Sequence, residues 1–381
     1  MSAPPADQGA SLSVPLPFFA AAREWAALRD ELLPRVEAVL ASGRVLQGPA
    51  VPAFEAELAA WVDRRHAVAV GSGTDALAFA LLALGVGPGD EVLVPALSFI
   101  ATASCVLRVG ARPVFGDVDG DGLLDLEAAP SRVGPRTRAV IAVGLYGRLH
   151  DAGALDAFGR SHGLAVVEDA AQSLSAVGAA GRRSGALGDV SCASFDPTKT
   201  LSAPGSGGAL LTDDPALAAS ARALRWHGRN AGGAYASLGF NSQLSSASAE
   251  VLSVKLREQE RWRARRAGVA ARWAMAAAAG GLDAPSPDPG HAWSKFVVSC
   301  AAGERDAVRA QLEAAGVPTL VHYATPLHRQ PLFAPSNPAP CPGADRLASE
   351  VVSLPLHAML TAAEVERVEE ALAARRSVAR S

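Results

Sequence analysis

Chemistry in this chain would start at Lys199, in the stretch Ser194-Phe-Asp-Pro-Thr-Lys-Thr-Leu201 that runs on into Pro204-Gly-Ser-Gly-Gly-Ala209. Among 35 basic side chains only Lys199, Lys255 and Lys295 are lysines. Arginine would serve at most surface positions, but its guanidinium stays protonated and cannot condense with an aldehyde, whereas a lysine amine can. This segment alone leaves two readings, a Schiff-base lysine or a surface lysine in a loop. Upstream, the apolar run Leu164 to Val167 ends in Glu168 and Asp169. A buried strand that delivers a carboxylate at its C-terminal end does so where open α/β sheets place ligands. An acidic strand end by itself could be a helix cap. Lysine and carboxylate together favour pyridoxal phosphate, which needs an amine for its aldehyde and a carboxylate to keep its pyridine nitrogen protonated.

A third chemical element is the turn Gly71-Ser-Gly-Thr-Asp75, between a short apolar strand and a very apolar helix. Small residues at a helix N-terminus leave backbone N–H groups free to cradle a phosphate, and Thr74 adds a hydroxyl. Plain N-capping by Ser72 or Thr74 accounts for the same residues. No Gly-Lys-Ser/Thr follows, and the glycine spacing is not the dinucleotide pattern, so a single phosphate suits the turn better than a nucleotide tail. Phe99, at the end of the strand Gly89 to Pro95, could stack on a flat ring or join the core.

The elements that must position these groups alternate between strand and helix. Strands are expected at Ala67–Val70, Arg112–Val118, Ala139–Val143 and Leu164 onward, and helices at Phe18–Leu40, Ala53–Arg64 and Ala76–Leu84. Repeated β-α units predict a mainly parallel sheet with helices on both faces. A strand at Ala209–Asp213, a glycine-bearing loop at Gly232–Gly239 and a long helix at Ala247–Met275 follow the lysine segment. The helix carries Arg257, Arg261, Arg263, Arg265 and Arg266, expected on a solvated or domain-bridging face. Proline and glycine around Asp283–Gly290 mark entry into a smaller α+β domain, with strands at Lys295–Cys300 and Pro318–His322 and helices at Glu304–Ala315 and Ala362–Arg375. His322, Tyr323 and His328 fall in a loop and read as substrate-side or structural, with no third ligand for a metal. The expected division is a flexible arm over 1–17, a large domain over 18–260 and a small one over 261–381.

With 49% hydrophobic residues the chain can bury a large core. Its 35 basic and 38 acidic groups give a net charge of -3, and no basic block with interleaved aromatics points to nucleic acid. No apolar run is long enough to span a membrane and the N-terminus lacks signal-peptide features, so no membrane partner is expected. Cys105, Cys192, Cys300 and Cys341 are scattered, which suits buried free thiols in a reducing cytoplasm better than zinc or disulfides.

The motifs resemble those of the DegT/StrS sugar aminotransferases, pyridoxal-phosphate enzymes of fold type I. The resemblance runs through Gly48, Phe54-Glu55, Gly71-Ser-Gly-Thr74, Gly89-Asp-Glu-Val92, Phe99-Ile-Ala-Thr102, Gly110-Ala111, Glu168-Asp-Ala-Ala-Gln172, Ser194-Phe195, Lys199, Gly207-Gly208, Asn241-Ser242, Val321-His-Tyr323 and Ser353-Leu-Pro355. It implies an α/β fold with a smaller C-terminal domain and pyridoxal 5'-phosphate as cofactor. Lys199 would carry the Schiff base and Asp169 would pair with the pyridine nitrogen. Phe99 would stack on the ring, Gly73, Thr74 and Ser194 would hold the phosphate, and Gln172 would lie beside the phenolic oxygen. Asn241 would reach the phosphate in a neighbouring subunit, so a homodimer with shared active sites is implied. Substrates would be an amino acid, glutamate first, and a keto sugar, a nucleotide-linked ketohexose ahead of a ketocyclitol such as an inosose. A different reaction on the same cofactor, or a regulatory protein without turnover, are the alternatives. Gly144, Leu174 and Gln243 depart from the resemblance, at positions expected to bear on substrate; Arg225 or Arg229 could replace the arginine missing at 243.

Overall fold

Seven short strands form the central sheet in the order β1-β7-β6-β5-β4-β2-β3. The computed structural model describes residues 16–178, 181–336 and 338–377. Helices α1 (Ala21–Ser42) and α2 (Ala50–Val62) lead into β1 (His66–Val70) and α3 (Gly73–Ala83). Then come β2 (Glu91–Pro95), α4 (Ala101–Arg108), β3 (Arg112–Gly116), β4 (Thr137–Val143), α5 (Ala152–His162), β5 (Ala165–Asp169), β6 (Val190–Ser194) and β7 (Gly208–Thr212). β2 to β6 run parallel, and β7 lies antiparallel to both β6 and β1. The strands are short, apolar and almost wholly buried, as parallel strands covered on both faces must be.

On one face lie α3, α4 and α6 (Pro215–Leu224), whose apolar side chains join those of the strands in the largest core cluster. On the other face α2 and the first half of α7 (Ser246–Ala279) pack Phe54, Leu58, Leu252 and Leu256 against Phe195 and Leu211. The second half of α7 belongs to another core, where Ala270, Trp273 and Ala277 meet Trp293, Phe296 and Leu372. That smaller unit contains β8 (Phe296–Ser299), α8 (Arg305–Ala314), β9 (Val351–Leu354) and α10 (Ala362–Ala373), while α9 (Pro342–Glu350), which leads into β9, packs Ala344, Leu347 and Ala348 onto the large core. Position 260 thus falls inside one unbroken helix that serves both cores.

Residues 1–15 of the expected arm lie outside the described residues, while Leu16 is buried in the small core and Pro17 accepts a hydrogen bond from His357. The helix expected from Ala53 begins at Ala50, with Pro49 at its N-cap and Pro52 in its first turn, where a missing N–H breaks no helical bond. The strand expected over 318–322 shrinks to one bridge, Leu320 with Ser353. In the antiparallel register of that bridge the next hydrogen-bonded position brings Pro318 opposite Pro355, and neither has an N–H to give.

Candidate active site

Period-two alternation along β5 sends adjacent carboxylates to opposite sides. Glu168 turns into the protein, where it accepts hydrogen bonds from the Ser184 and Ser191 hydroxyls and from the N–H groups of Gly185 and Leu187. Asp169 turns to the cleft and is only 5% exposed. Its Oδ2 accepts from the Thr102 hydroxyl at 3.0 Å and its Oδ1 from the Ala171 N–H at 3.1 Å. Burial raises its pKa above the ordinary carboxylate value, opposed by those two donors and by Lys199.

β6 ends at Ser194, and the lysine loop that follows is pinned at each end. Phe195 N donates to Gly207 O and Ala203 N donates to Phe195 O, both at 2.8 Å, while Lys199 N closes a turn on Asp196 O. Behind the loop, Gln259 of α7 donates to Thr200 O, and Lys255 bridges Glu24 and the Ser202 hydroxyl. Lys199 Nζ makes no hydrogen bond or ion pair among the described residues. Burial lowers its pKa below that of a free lysine, with Asp169 and Asp196 pulling the other way. A lowered pKa makes the amine easier to deprotonate, and the deprotonated form is the nucleophile and proton acceptor.

The start of α3 meets the ends of β6 and β7. Ser72 caps the helix by accepting from Asp75 N at 3.0 Å. Among the described residues the N–H groups of Gly73 and Thr74 have no acceptor, so the cap and the phosphate cradle are compatible outcomes of one turn. A side chain at Gly73 would bring its Cβ within 2.7 Å of Ser194 Cβ, so glycine is what lets the helix end approach Ser194.

These parts surround a cavity of about 430 Å³, which Gly73, Thr74, Phe99, Asp169, Gln172, Ser194 and Lys199 all line. Phe99 does not join the core: its ring is 51% exposed and stands 6.2 Å from that of Tyr323. Asn241 lies apart, exposed, with its Oδ1 accepting from Gln243, and does not line its own chain's cleft. A buried carboxylate, an unpaired amine, an exposed ring face and an unpaired helix N-terminus together fit a flat heteroaromatic aldehyde carrying a phosphate.

Phe19, Lys295, His322 and Tyr323 also line the cavity, and sequence reading gave them no cofactor-side role. The aromatic and histidine types at 322 and 323 were a usable signal; nothing local marks Lys295. Gln172 ties this wall together, its Oε1 accepting from Tyr146 N at 3.2 Å and Lys295 Nζ at 3.4 Å while its Nε2 donates to the Tyr323 hydroxyl. Burial, with Lys295 and Lys199 nearby, pushes the His322 pKa down to about 3.

Two departures expected to bear on substrate belong elsewhere. Leu174 is buried in the core beside Phe195, and a Cβ at Gly144 would meet Ser173 Oγ at 2.1 Å, so glycine there accommodates a neighbouring serine. Arg225 is occupied by Glu55 and by Ala69 O, while Arg229 stacks on Trp226 at 4.5 Å. Gln243 accepts from Gln47 at 2.8 Å, outside the cleft.

The sequence pattern of the DegT/DnrJ/EryC1/StrS aminotransferase family matches residues 26–373. The chain is 43% identical over 349 residues to the erythromycin biosynthesis sensory transduction protein EryC1 of Saccharopolyspora erythraea, covering 90% of this chain and 94% of that one. It is 40% identical over 366 residues to the dTDP-3-amino-3,4,6-trideoxy-alpha-D-glucose transaminase of Streptomyces venezuelae, covering 94% and 95%. The crystal structure of S. venezuelae DesV in complex with a ketimine intermediate matches with a TM-score of 0.91 at 38% identity, covering 95% of this chain and 98% of that one.

Proposed function

This chain belongs to the DegT/DnrJ/EryC1/StrS aminotransferase family, and from that premise we propose that its cleft moves an amino group from an amino acid, L-glutamate in our reading, to the carbonyl carbon of a nucleotide-linked ketohexose. The enzyme is a pyridoxal-phosphate-dependent sugar aminotransferase. The nucleotide-linked acceptor is supported by the 40% identical relative described as a dTDP-sugar transaminase. When bound, the cofactor supplies an aldehyde for amine exchange and a ring that takes up the electron pair left by a broken Cα–H bond.

The chain's residues divide the remaining work. The N–H groups of Gly73 and Thr74, with the hydroxyls of Thr74 and Ser194, hold the phosphate. Asp169, fixed by Thr102 and Ala171, holds a proton on the ring nitrogen. Phe99, exposed to the cleft, would lie against the ring, and Gln172, which lines the same cavity, would be the residue beside the phenolic oxygen. Lys199 Nζ accepts the proton released at the donor's Cα and, in the second half of the reaction, delivers one to the carbon that had carried the acceptor's keto oxygen. The half-buried pair His322 and Tyr323 forms a wall that limits water.

The observation that carries this reading is the convergence of Lys199 and Asp169 with an unpaired helix N-terminus in one cleft. Borohydride treatment of the purified protein followed by peptide mapping should place the cofactor on Lys199; a label on Lys255 or Lys295 would overturn the assignment. A second reading, regulation without turnover, is prompted by the description of the Saccharopolyspora relative. Mixing the aminated form with keto sugars and inososes decides between them: return of the aldehyde absorbance supports turnover and ranks the acceptors, and inertness towards all of them favours the regulatory reading.

A homodimer with shared sites is part of the proposal, supported by the position of Asn241 outside its own cleft and by exposed apolar side chains such as Trp25, Leu40, Leu46 and Ile100. Among the described residues no helix is long and apolar enough to cross a membrane. A cytoplasmic location is our reading, supported by four free, buried cysteines.

A further inference from the structure

The cleft contains one cation with no assigned task. Lys295 precedes β8 and is 5% exposed. Its ammonium has three N–H donors, and its one hydrogen bond among the described residues goes to a neutral acceptor, Gln172 Oε1, at 3.4 Å. It has no carboxylate within ion-pairing distance among those residues. A buried lysine in this state is costly unless an anion joins it, and burial with Lys199 nearby lowers its pKa to about 7.

The other cleft residues narrow the choice of anion. Among the described residues no arginine lines the cavity, His322 is held neutral, and Lys199 is committed to the cofactor. The phosphate has the helix N-terminus. Lys295 also borders a second cavity of about 410 Å³, but there Arg148 is already paired with Asp121, and Asp119 and Asp283 add further negative charge that disfavours an anion. Every amino donor brings an α-carboxylate beside the reacting carbon, and among the described residues of this chain that group has no other unassigned cation to meet in the cleft.

We propose that Lys295 receives a substrate carboxylate in the cleft, that of the amino donor or of an acceptor carrying an acid group. The inference rests on the aminotransferase reading of the site and adds a specificity-determining residue to it. A carboxylate brought against the amine is paired with a proton-bearing Nζ, while Gln172 keeps its contact and continues to face Tyr323. Because the interaction is a charge pairing in a desolvated wall, it should act on affinity rather than on the proton transfer at Lys199.

The test uses the cofactor-loaded enzyme. Calorimetry with 2-oxoglutarate on the aldehyde form reads the donor-side carboxylate without turnover, and D-glucuronate on the aminated form reads an acceptor carboxylate. Single-turnover kinetics with L-glutamate separate half-saturation from the limiting rate. Lys295→Met should weaken 2-oxoglutarate binding and raise the L-glutamate half-saturation by about tenfold or more, with the limiting rate within about threefold and the cofactor absorbance retained. Lys295→Gln, which keeps a donor for Gln172 without charge, should lose as much. A loss confined to D-glucuronate would place the carboxylate on the acceptor. Unchanged affinity for both carboxylates in either variant, or a fall in limiting rate with half-saturation unmoved, would overturn the proposal. Absence of cofactor absorbance in the unsubstituted protein would count instead against the aminotransferase cleft, while the calorimetric effect of Lys295 on carboxylates is read independently.

Discussion

Asp169 and Lys199 reach the cleft with their charges disfavoured by burial; the Ala171 N–H, the Thr102 hydroxyl and Lys199 offset this for Asp169, and Asp169 and Asp196 offset it for Lys199. Binding a cofactor with a basic ring nitrogen would give Asp169 a closer partner and leave Lys199 free for the aldehyde. Asp169→Asn should therefore lower turnover by roughly a hundredfold or more, about 2.7 kcal/mol of transition-state stabilisation, while cofactor affinity falls far less because the phosphate contacts survive. Steady-state rates beside cofactor titration by absorbance check this; near-normal turnover would mean another acid holds the ring proton. Lys199→Ala should abolish turnover yet still retain dialysable cofactor, measured by absorbance after gel filtration.

Two helices hold the lysine loop from behind, and their buried charges make them testable. Glu24 of α1 accepts from Lys255 of α7 at 2.7 Å, and Lys255 also reaches the Ser202 hydroxyl at 2.8 Å. Removing one partner strands a buried charge, so Lys255→Met should cost about 3–5 kcal/mol, and adding Glu24→Gln should recover part of it. Urea unfolding of the single and double variants measures both, and an additive double variant would sink the idea of a coupled pair. At the position of α1 adjacent to Glu24, Arg23 pairs with Glu364 of α10, whose pKa the Arg23 hydrogen bond lowers to about 2. A depressed carboxylate contributes stability above its unfolded pKa and loses it as pH falls through the folded one. Glu364→Gln should therefore cost about 1–3 kcal/mol at pH 7, and the gap to the parent should narrow between pH 4.5 and pH 2. An equal gap at pH 7 and pH 2 would detach the pair from the acid response.

At the scale of the whole molecule, the cleft lies where two cores meet: the large-domain sheet supplies Asp169, Ser194 and Lys199, while Lys295 precedes β8 of the smaller unit. Asn241 remains outside, and an isologous dimer would let each subunit give it and receive it. Mixing inactive Lys199→Ala protein with inactive Asn241→Ala protein tests this. If the contact crosses the interface, a heterodimer gathers both defects in one site and leaves the other intact, so activity should partly return. No recovery after confirmed subunit exchange would sink the shared-site assembly.

Lys199, Asp169 and the Gly71–Asp75 turn were legible in the sequence because their signals are local: a scarce amine between turns, a carboxylate ending an apolar run, small residues opening a helix. Repeated β-α alternation likewise determined the parallel sheet and, with it, the end of the sheet at which ligands gather. Tertiary structure alone decided which of three lysines faces which cavity, since Lys255 is neutralised by a carboxylate from α1 and Lys295 meets Gln172 from the turn that follows β5. It also removed Leu174, Gly144 and Arg225 from the substrate question by packing them against partners distant in sequence. The segment 318–322 is held to one bridge for the same reason, because its register on β9 sets Pro318 opposite Pro355, and neither offers a backbone N–H. Residue type and spacing select the chemistry, but the counter-charge, the neighbour and the facing strand come from elsewhere in the chain, and only the folded packing says which they are.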